Sequence, residues 1–196
     1  MRLPLREGVA AAPAEVNVEH SLLLPKLFEG LRDDERLTIL DLGPAAPETV
    51  DFFGQFRCRL FFADLFSEPA DGDAATSFQT LLDYPVQVQF DLCLFWDFLN
   101  LLEVGELRAF NAALRPYVHQ ETRAHGFAAM TATHALSIHH YGVRSTQELV
   151  VRPDPLARRA TRPHPQAQLK QYLTCLEIKR GTLLREGRLE VVFQGV

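Results

Sequence analysis

Several short stretches of this 196-residue chain bring together side chains able to do chemistry. Asp41 and Gly43 close the apolar run Leu37-Thr38-Ile39-Leu40-Asp41-Leu42-Gly43, an acid and a glycine where a strand ends and backbone can come close to a ligand. Asp64 follows a second apolar run, Cys58 to Phe62. A carboxylate there can accept both hydroxyls of a ribose, or equally cap a helix or stand in solvent. Trp96, Asp97 and Asn100 follow a third run that begins at Phe90. An indole beside a carboxylate and an amide can hold a flat or cationic acceptor, while the plainer readings are a core tryptophan and a helix-capping aspartate. His140 and Tyr141, with Asp97, are the candidate acid–base groups near such an acceptor. His134, His139 and His140, with His119 and His125 upstream, argue against a metal, because offsets of five and six do not align ligands on one helical face.

The elements that must position these residues follow from hydrophobic spacing. Leu22, Leu23, Leu24, Leu27, Phe28 and Leu31 recur at helical intervals over 21–31, with Pro25 suited to a first turn. Strands are predicted at 37–43, 58–62, 90–97 and 126–131, and helices at 49–56, 74–82 and 104–114. Tyr84-Pro85-Val86-Gln87-Val88 is a weak strand with proline at its start, so a third strand is expected to be short or missing. The strands are near-continuous apolar runs alternating with helices, which implies a doubly wound α/β protein with a mostly parallel sheet covered on both faces. After a helix at 166–172, two strands at 173–184 and 189–194 around Arg185-Glu186-Gly187-Arg188 form an antiparallel hairpin. Residues 1–20 form an N-terminal arm, and 21–196 a single domain.

Composition sets outer bounds. Hydrophobic residues at 47% and charged residues at 23% are globular values that exclude disordered, collagen-like and membrane-embedded chains. Cys58, Cys93 and Cys175 are too few and too widely spaced for a disulfide framework or a zinc signature, and with no signal peptide or spanning segment the expected location is cytoplasmic. The net charge of −5 conceals an asymmetry: residues 1–115 sum to −10 and 116–196 to +5. Arg144 to Lys170 carries Arg152, Arg158, Arg159 and Arg162 among four prolines, which reads as an extended loop insert over 144–165 and a docking surface over 144–170 for an acceptor or protein partner. Overall acidity disfavours nucleic acid, and nothing suggests a membrane partner.

The order of elements resembles the class I S-adenosylmethionine-dependent methyltransferases, whose parallel sheet ends in a hairpin that inserts one antiparallel strand. Ile39-Leu40-Asp41-Leu42-Gly43 is similar to that family's first-strand motif and Phe61-Phe62-Ala63-Asp64 to its second strand with a terminal acid. Phe90 to Asn100 is similar to its fourth-strand segment, and Leu114-Arg115-Pro116-Tyr117 to the helix end before its fifth strand. The resemblance implies S-adenosylmethionine held by Asp41, Gly43, Ala45, Asp64, Asp83 and Trp96, with an acceptor near Asp97, His140 and Tyr141. An Asp in the position of Asp41 is also an ordinary turn former. The family's glycine loop departs here: Ala45 and Pro47 stand at its second and third glycines. Two functions follow, a methyltransferase of unspecified acceptor, or a catalytically inactive module of the same fold acting as a protein-binding scaffold or regulator.

Overall fold

A computed structural model of the chain describes residues 17–32, 35–64, 74–131, 133, 136–153, 161–185 and 187–196. The N-terminal arm up to residue 16, His134, Arg158 and Arg159 lie outside these residues. Elements in chain order are β1 (Asn17–His20), α1 (Pro25–Phe28), β2 (Leu37–Asp41), α2 (Pro47–Phe53), β3 (Cys58–Phe62), α3 (Ala74–Leu81), β4 (Phe90–Trp96), α4 (Val104–Leu114), β5 (Val118–Ala129), β6 (His139–Val143), β7 (Glu148–Pro153), α5 (Gln166–Tyr172), β8 (Leu176–Leu183) and β9 (Arg188–Gly195). Two short 3-10 turns, Phe98–Leu101 and Arg115–Tyr117, flank α4.

The main sheet runs β3-β2-β4-β5-β9-β8. β3, β2, β4 and β5 are parallel neighbours, and β9 lies antiparallel between β5 and β8. This is the doubly wound, mostly parallel sheet with a C-terminal antiparallel hairpin that the sequence implies. Strand order reverses between β2 and β4, so a crevice opens at their carboxyl ends. No strand forms between β3 and β4 among the described residues. Pro85 cannot donate to a ladder, Val88 closes a turn onto the Pro85 carbonyl, and the Tyr84 ring packs on Phe61 and Phe90 instead, at 5.0 and 5.5 Å.

Two hydrophobic layers flank the sheet. On one face α3, α4, α5 and the Phe98–Leu101 turn bury Phe78, Phe110, Leu169 and Phe98 against Phe95 and Phe193. The capping box of Glu103 and Glu106 satisfies the first turn of α4. On the other face α1 and α2 cover β2 with Leu27, Phe52 and Phe53. Beside them sits an element the sequence reading does not contain, a three-stranded antiparallel sheet of order β1-β7-β6.

This small sheet corrects two expectations: residues 17–20 are a paired strand, not arm, and Glu148–Pro153 is a strand, not loop insert; it also places His140 and Tyr141 in β6. The predicted helix over 21–31 is reduced to the four residues from Pro25, and the strand expected at 126–131 begins at Val118. No helix among the described residues is long and apolar enough to cross a membrane.

Phe110 is fully buried, with Phe78, Phe95 and Phe98 meeting it edge-on at 5.3–5.8 Å. Phe110→Ala should cost about 3–5 kcal/mol of unfolding free energy. Urea denaturation read by circular dichroism checks this; a loss below about 1 kcal/mol would contradict the packing described.

Candidate functional site

Asp41 is the last residue of β2 and is completely buried. Its Oδ1 accepts hydrogen bonds from the Gly43 N–H at 2.8 Å and from the Trp96 indole Nε1–H at 2.6 Å, while Oδ2 is buried with no hydrogen-bond partner. Burial pushes its carboxyl up to about 7, against the two hydrogen bonds, which lower it; the negative charge of Asp64 adds to the rise.

Trp96 ends β4 with φ 52°, the sole positive φ outside glycine among the described residues. For a bulky side chain that conformation is strained, at a cost on the order of 1–3 kcal/mol. The pairing of β4 with β5 shifts register between Leu94 and Trp96, and Gly126 stands opposite, where a Cβ would lie 3.1 Å from the Trp96 carbonyl. An irregular strand end of this kind re-aims its last side chain. Here it turns the indole back across the crevice: a Cβ on Gly43 would stand 3.1 Å from Cδ1 and 3.2 Å from Nε1 of Trp96. Tyr141 stacks on the indole at 5.1 Å and 13°, and Phe127 stacks on Tyr141 at 5.0 Å.

The aromatic stack rests on buried charge. Tyr141 Oη donates to Asp97 Oδ2 at 2.8 Å and accepts from the Arg188 guanidinium at 2.6 Å. Burial, then the Asp97 charge, drives the Tyr141 phenol well above its ordinary value, so it stays protonated and is unsuited to act as a base. Asp97 is completely buried; its Oδ2 also accepts the His139 N–H at 3.1 Å, and Oδ1 has no hydrogen-bond partner. Arg188 lies over the Phe127 ring at 4.9 Å and reaches Glu19 of β1 at 3.5 Å. Two residues along β9, Glu190 accepts from Ser21 Oγ and from the Leu22 N–H at 3.0 Å, and meets His125 Nε2 at 2.8 Å. Burial works to raise the Glu190 carboxyl, but bonding and charge from His125, with the bonds from Ser21 and Leu22, bring it down to about 2.

Of the sequence-predicted residues, the structure therefore brings Asp41, Gly43, Trp96, Asp97 and Tyr141 together. Asp64 lies partly buried just past β3, close enough to affect Asp41. Ala45 is exposed, and Pro47 opens α2 at its first turn, where a fixed φ is harmless. Asp83 does not join the site: it is exposed, and its neighbour Tyr84 packs on Phe90 at the entry of β4, whereas the crevice lies at the exit. Nor does the pairing of His140 with Tyr141 hold, since alternation along β6 puts them on opposite faces. His139 is on the Tyr141 side, its Nδ1 3.6 Å from Asp97. Arg188 and Glu190 are not among the site residues the sequence suggests, and His125 enters there only among the histidines weighed for a metal. The one cue to Arg188 and Glu190 is charge inside the last strand, which alternation alone assigns to solvent.

The crevice does not fit S-adenosylmethionine as it stands. The resemblance would place the methionine part of the cofactor beside Gly43, and that space is filled by the Trp96 ring. Among the described residues, no three His, Cys, Asp or Glu side chains gather as a metal site. Arg144, Arg152 and Arg162 of the basic segment are ion-paired with Glu148, Glu48 and Glu103, respectively.

No protein-family model and no curated protein sequence matches the chain. Similar solved structures include the pyocyanin biosynthetic protein PhzM, 12% identical with TM-score 0.47 over 89% of this chain. The chain spans 55% of the length of PhzM. The glycopeptide N-methyltransferase MtfA, crystallised with S-adenosylhomocysteine, is 12% identical with TM-score 0.48, covering 89% of this chain and 90% of its own. The Burkholderia thailandensis 1,6-didemethyltoxoflavin-N1-methyltransferase is 12% identical with TM-score 0.47, covering 81% and 71%. What defines the class is the strand order, that of a methyltransferase-like Rossmann fold.

Two expected outcomes follow from the buried carboxyls. Asp41 binds its proton more tightly folded, at about 7, than at the unfolded 3.8, so its contribution to stability is full below pH 4 and declines as pH rises to 7. Asp41→Asn should remove that decline, which is at most about 1.4 kcal/mol per pH unit, in urea titrations from pH 4 to 8. Glu190 has the opposite sign: its contribution is present above pH 4.5 and is lost as pH falls towards 2. Glu190→Gln should lower stability at pH 7 by roughly 3–5 kcal/mol, by leaving a buried pair half-made. Equal stability of this variant and wild type at pH 7 would contradict the assignment.

Proposed function

We propose that this protein is a methyltransferase-fold module that does not transfer methyl groups in its resting form and instead acts as a protein-binding scaffold or regulator. The observation that carries this reading is the Trp96 indole lying against Gly43 and hydrogen-bonded to Asp41, where a methyl donor's tail would have to pass. The supports behind it agree. Tyr141 holds the indole from the other side, and the small sheet packs on α2, with the Val143 N–H donating to Thr49 Oγ1 at 3.0 Å and Arg152 paired with Glu48.

Methyl transfer needs little from a protein beyond alignment of nucleophile, methyl and sulfur, so missing catalytic motifs count for little. A filled binding site counts for much more. For the scaffold role we assign the segment 144–170 as the partner-facing side. Among the described residues of the segment, Arg144, Arg152 and Arg162 have carboxylate partners, and Lys170 on α5 is exposed to a partner's acidic groups.

Isothermal titration of the wild-type protein with S-adenosylmethionine and S-adenosylhomocysteine tests the reading. No saturable heat at millimolar ligand is the expected result, and micromolar binding lost in Asp64→Ala would overturn it.

A further inference from the structure

A cavity of about 480 Å³ opens between the first turn of α4 and the stretch 161–164 that leads into α5. Sites for small molecules have volumes of roughly 300–1,000 Å³. α4 and α5 cover one face of the main sheet, whereas Trp96 and Tyr141 belong to the apolar layer on the other, so this cavity is separate from the crevice. Its walls are stitched together. The Arg162 N–H donates to the Asn100 carbonyl at 2.5 Å, and the buried His164 ring donates from Nε2 to the Leu102 carbonyl at 2.7 Å. A carbonyl only accepts, so Nε2 carries the hydrogen. His164 Nδ1 meets the side-chain amide of Gln168 at 3.1 Å, which commits one end of that amide to the ring and leaves the other to the cavity.

Two opposite charges stand side by side at the rim. Arg162 reaches Glu103 Oε1 at 3.5 Å, and neither side chain is buried. One long contact in solvent contributes little, so both groups can exchange partners with a ligand at low cost. A simple anion there would meet the Glu103 carboxylate, and a simple cation the Arg162 guanidinium. A molecule with both charges on neighbouring atoms satisfies the two at once. Val104 and Pro163 add apolar wall beside them, and Gly105 leaves room, since a Cβ there would have no atom within 4 Å.

We propose that this groove binds a free α-amino acid. Its carboxylate pairs with Arg162 and its ammonium with Glu103, and its side chain lies along Val104 and Pro163 towards the Gln168 amide. The site goes beyond the scaffold reading and does not rest on it.

Isothermal titration of the full chain with the common amino acids, one at a time, tests the proposal. At least one with an aliphatic or amide side chain should give saturable heat, with one ligand per chain. Its N-acetyl and carboxamide derivatives each lack one charge and should bind at least roughly tenfold more weakly. Arg162→Gln and Glu103→Gln should each cause a similar loss. Gly105→Trp fills the groove and should abolish binding. The open space at its Cβ and the low helix propensity of the glycine it replaces favour a folded variant, which circular dichroism verifies. Absence of saturable heat with every amino acid overturns the proposal. So does undiminished binding of the singly charged derivatives, or of the amino acid to folded Gly105→Trp. None of these outcomes bears on the crevice, which the titration with S-adenosylmethionine tests separately.

Discussion

The hydrogen bond from the Trp96 indole to Asp41 ties together the two strands between which a doubly wound sheet opens. Asp41 ends β2 and Trp96 ends β4, and the two strands are neighbours across the switch point. Together with that bond, the ring lies against Gly43, the backbone at Trp96 takes a positive φ, and β5 offers a glycine, Gly126, against the Trp96 carbonyl. Tyr141 then has a flat surface to stack on. In a low-dielectric setting such a bond is strong, and the same setting makes the unpartnered Oδ2 costly. The site thus holds stabilising and destabilising terms within a few ångströms, as functional regions commonly do.

The second tier is β9. Its side chains at 188 and 190 carry opposite charges into the interface between the main sheet and the small one, Arg188 reaching Tyr141 and Glu19, Glu190 reaching Ser21 and His125. Neither contact is local, and both tie the N-terminal strand to the body of the domain. Burying such charges adds little net stability compared with an apolar alternative, but it discriminates sharply against misplacement, since a slipped strand would leave each charge alone in the interior. Positional specificity, rather than strength, is what this pair of residues contributes.

How much of this was legible follows from which forces are local. β2, β3, β4, α4, α5 and the closing hairpin announce themselves through apolar runs, helical spacing and turn residues, because those signals are written within a few residues of each element. The reason for a missing third strand was equally legible at Pro85. The small sheet was not. β6 carries histidines and a glycine, β7 ends in arginine and proline, and the strand that completes them lies more than 120 residues upstream, at Asn17–His20. Trp96, Asp97 and Tyr141 were singled out as chemically able, and they do meet, but as a stack that fills space. Nothing in residue type distinguishes an indole that offers a platform from one that occupies it; the backbone torsion at residue 96 does.

The pairing of Ser21 with Glu190 spans 169 residues. β9 is the last described element in chain order, so although α1 packs its Phe28 on the nearby Phe52 and Phe53 of α2, the bonds from Ser21 and Leu22 to Glu190 wait for β9, and loop closure over such a distance is entropically slow. The small sheet needs β1 as its third strand, and the aromatic stack needs the small sheet. Maturation of this region should therefore lag behind formation of the parallel sheet, leaving a transient species with a built sheet and an open crevice.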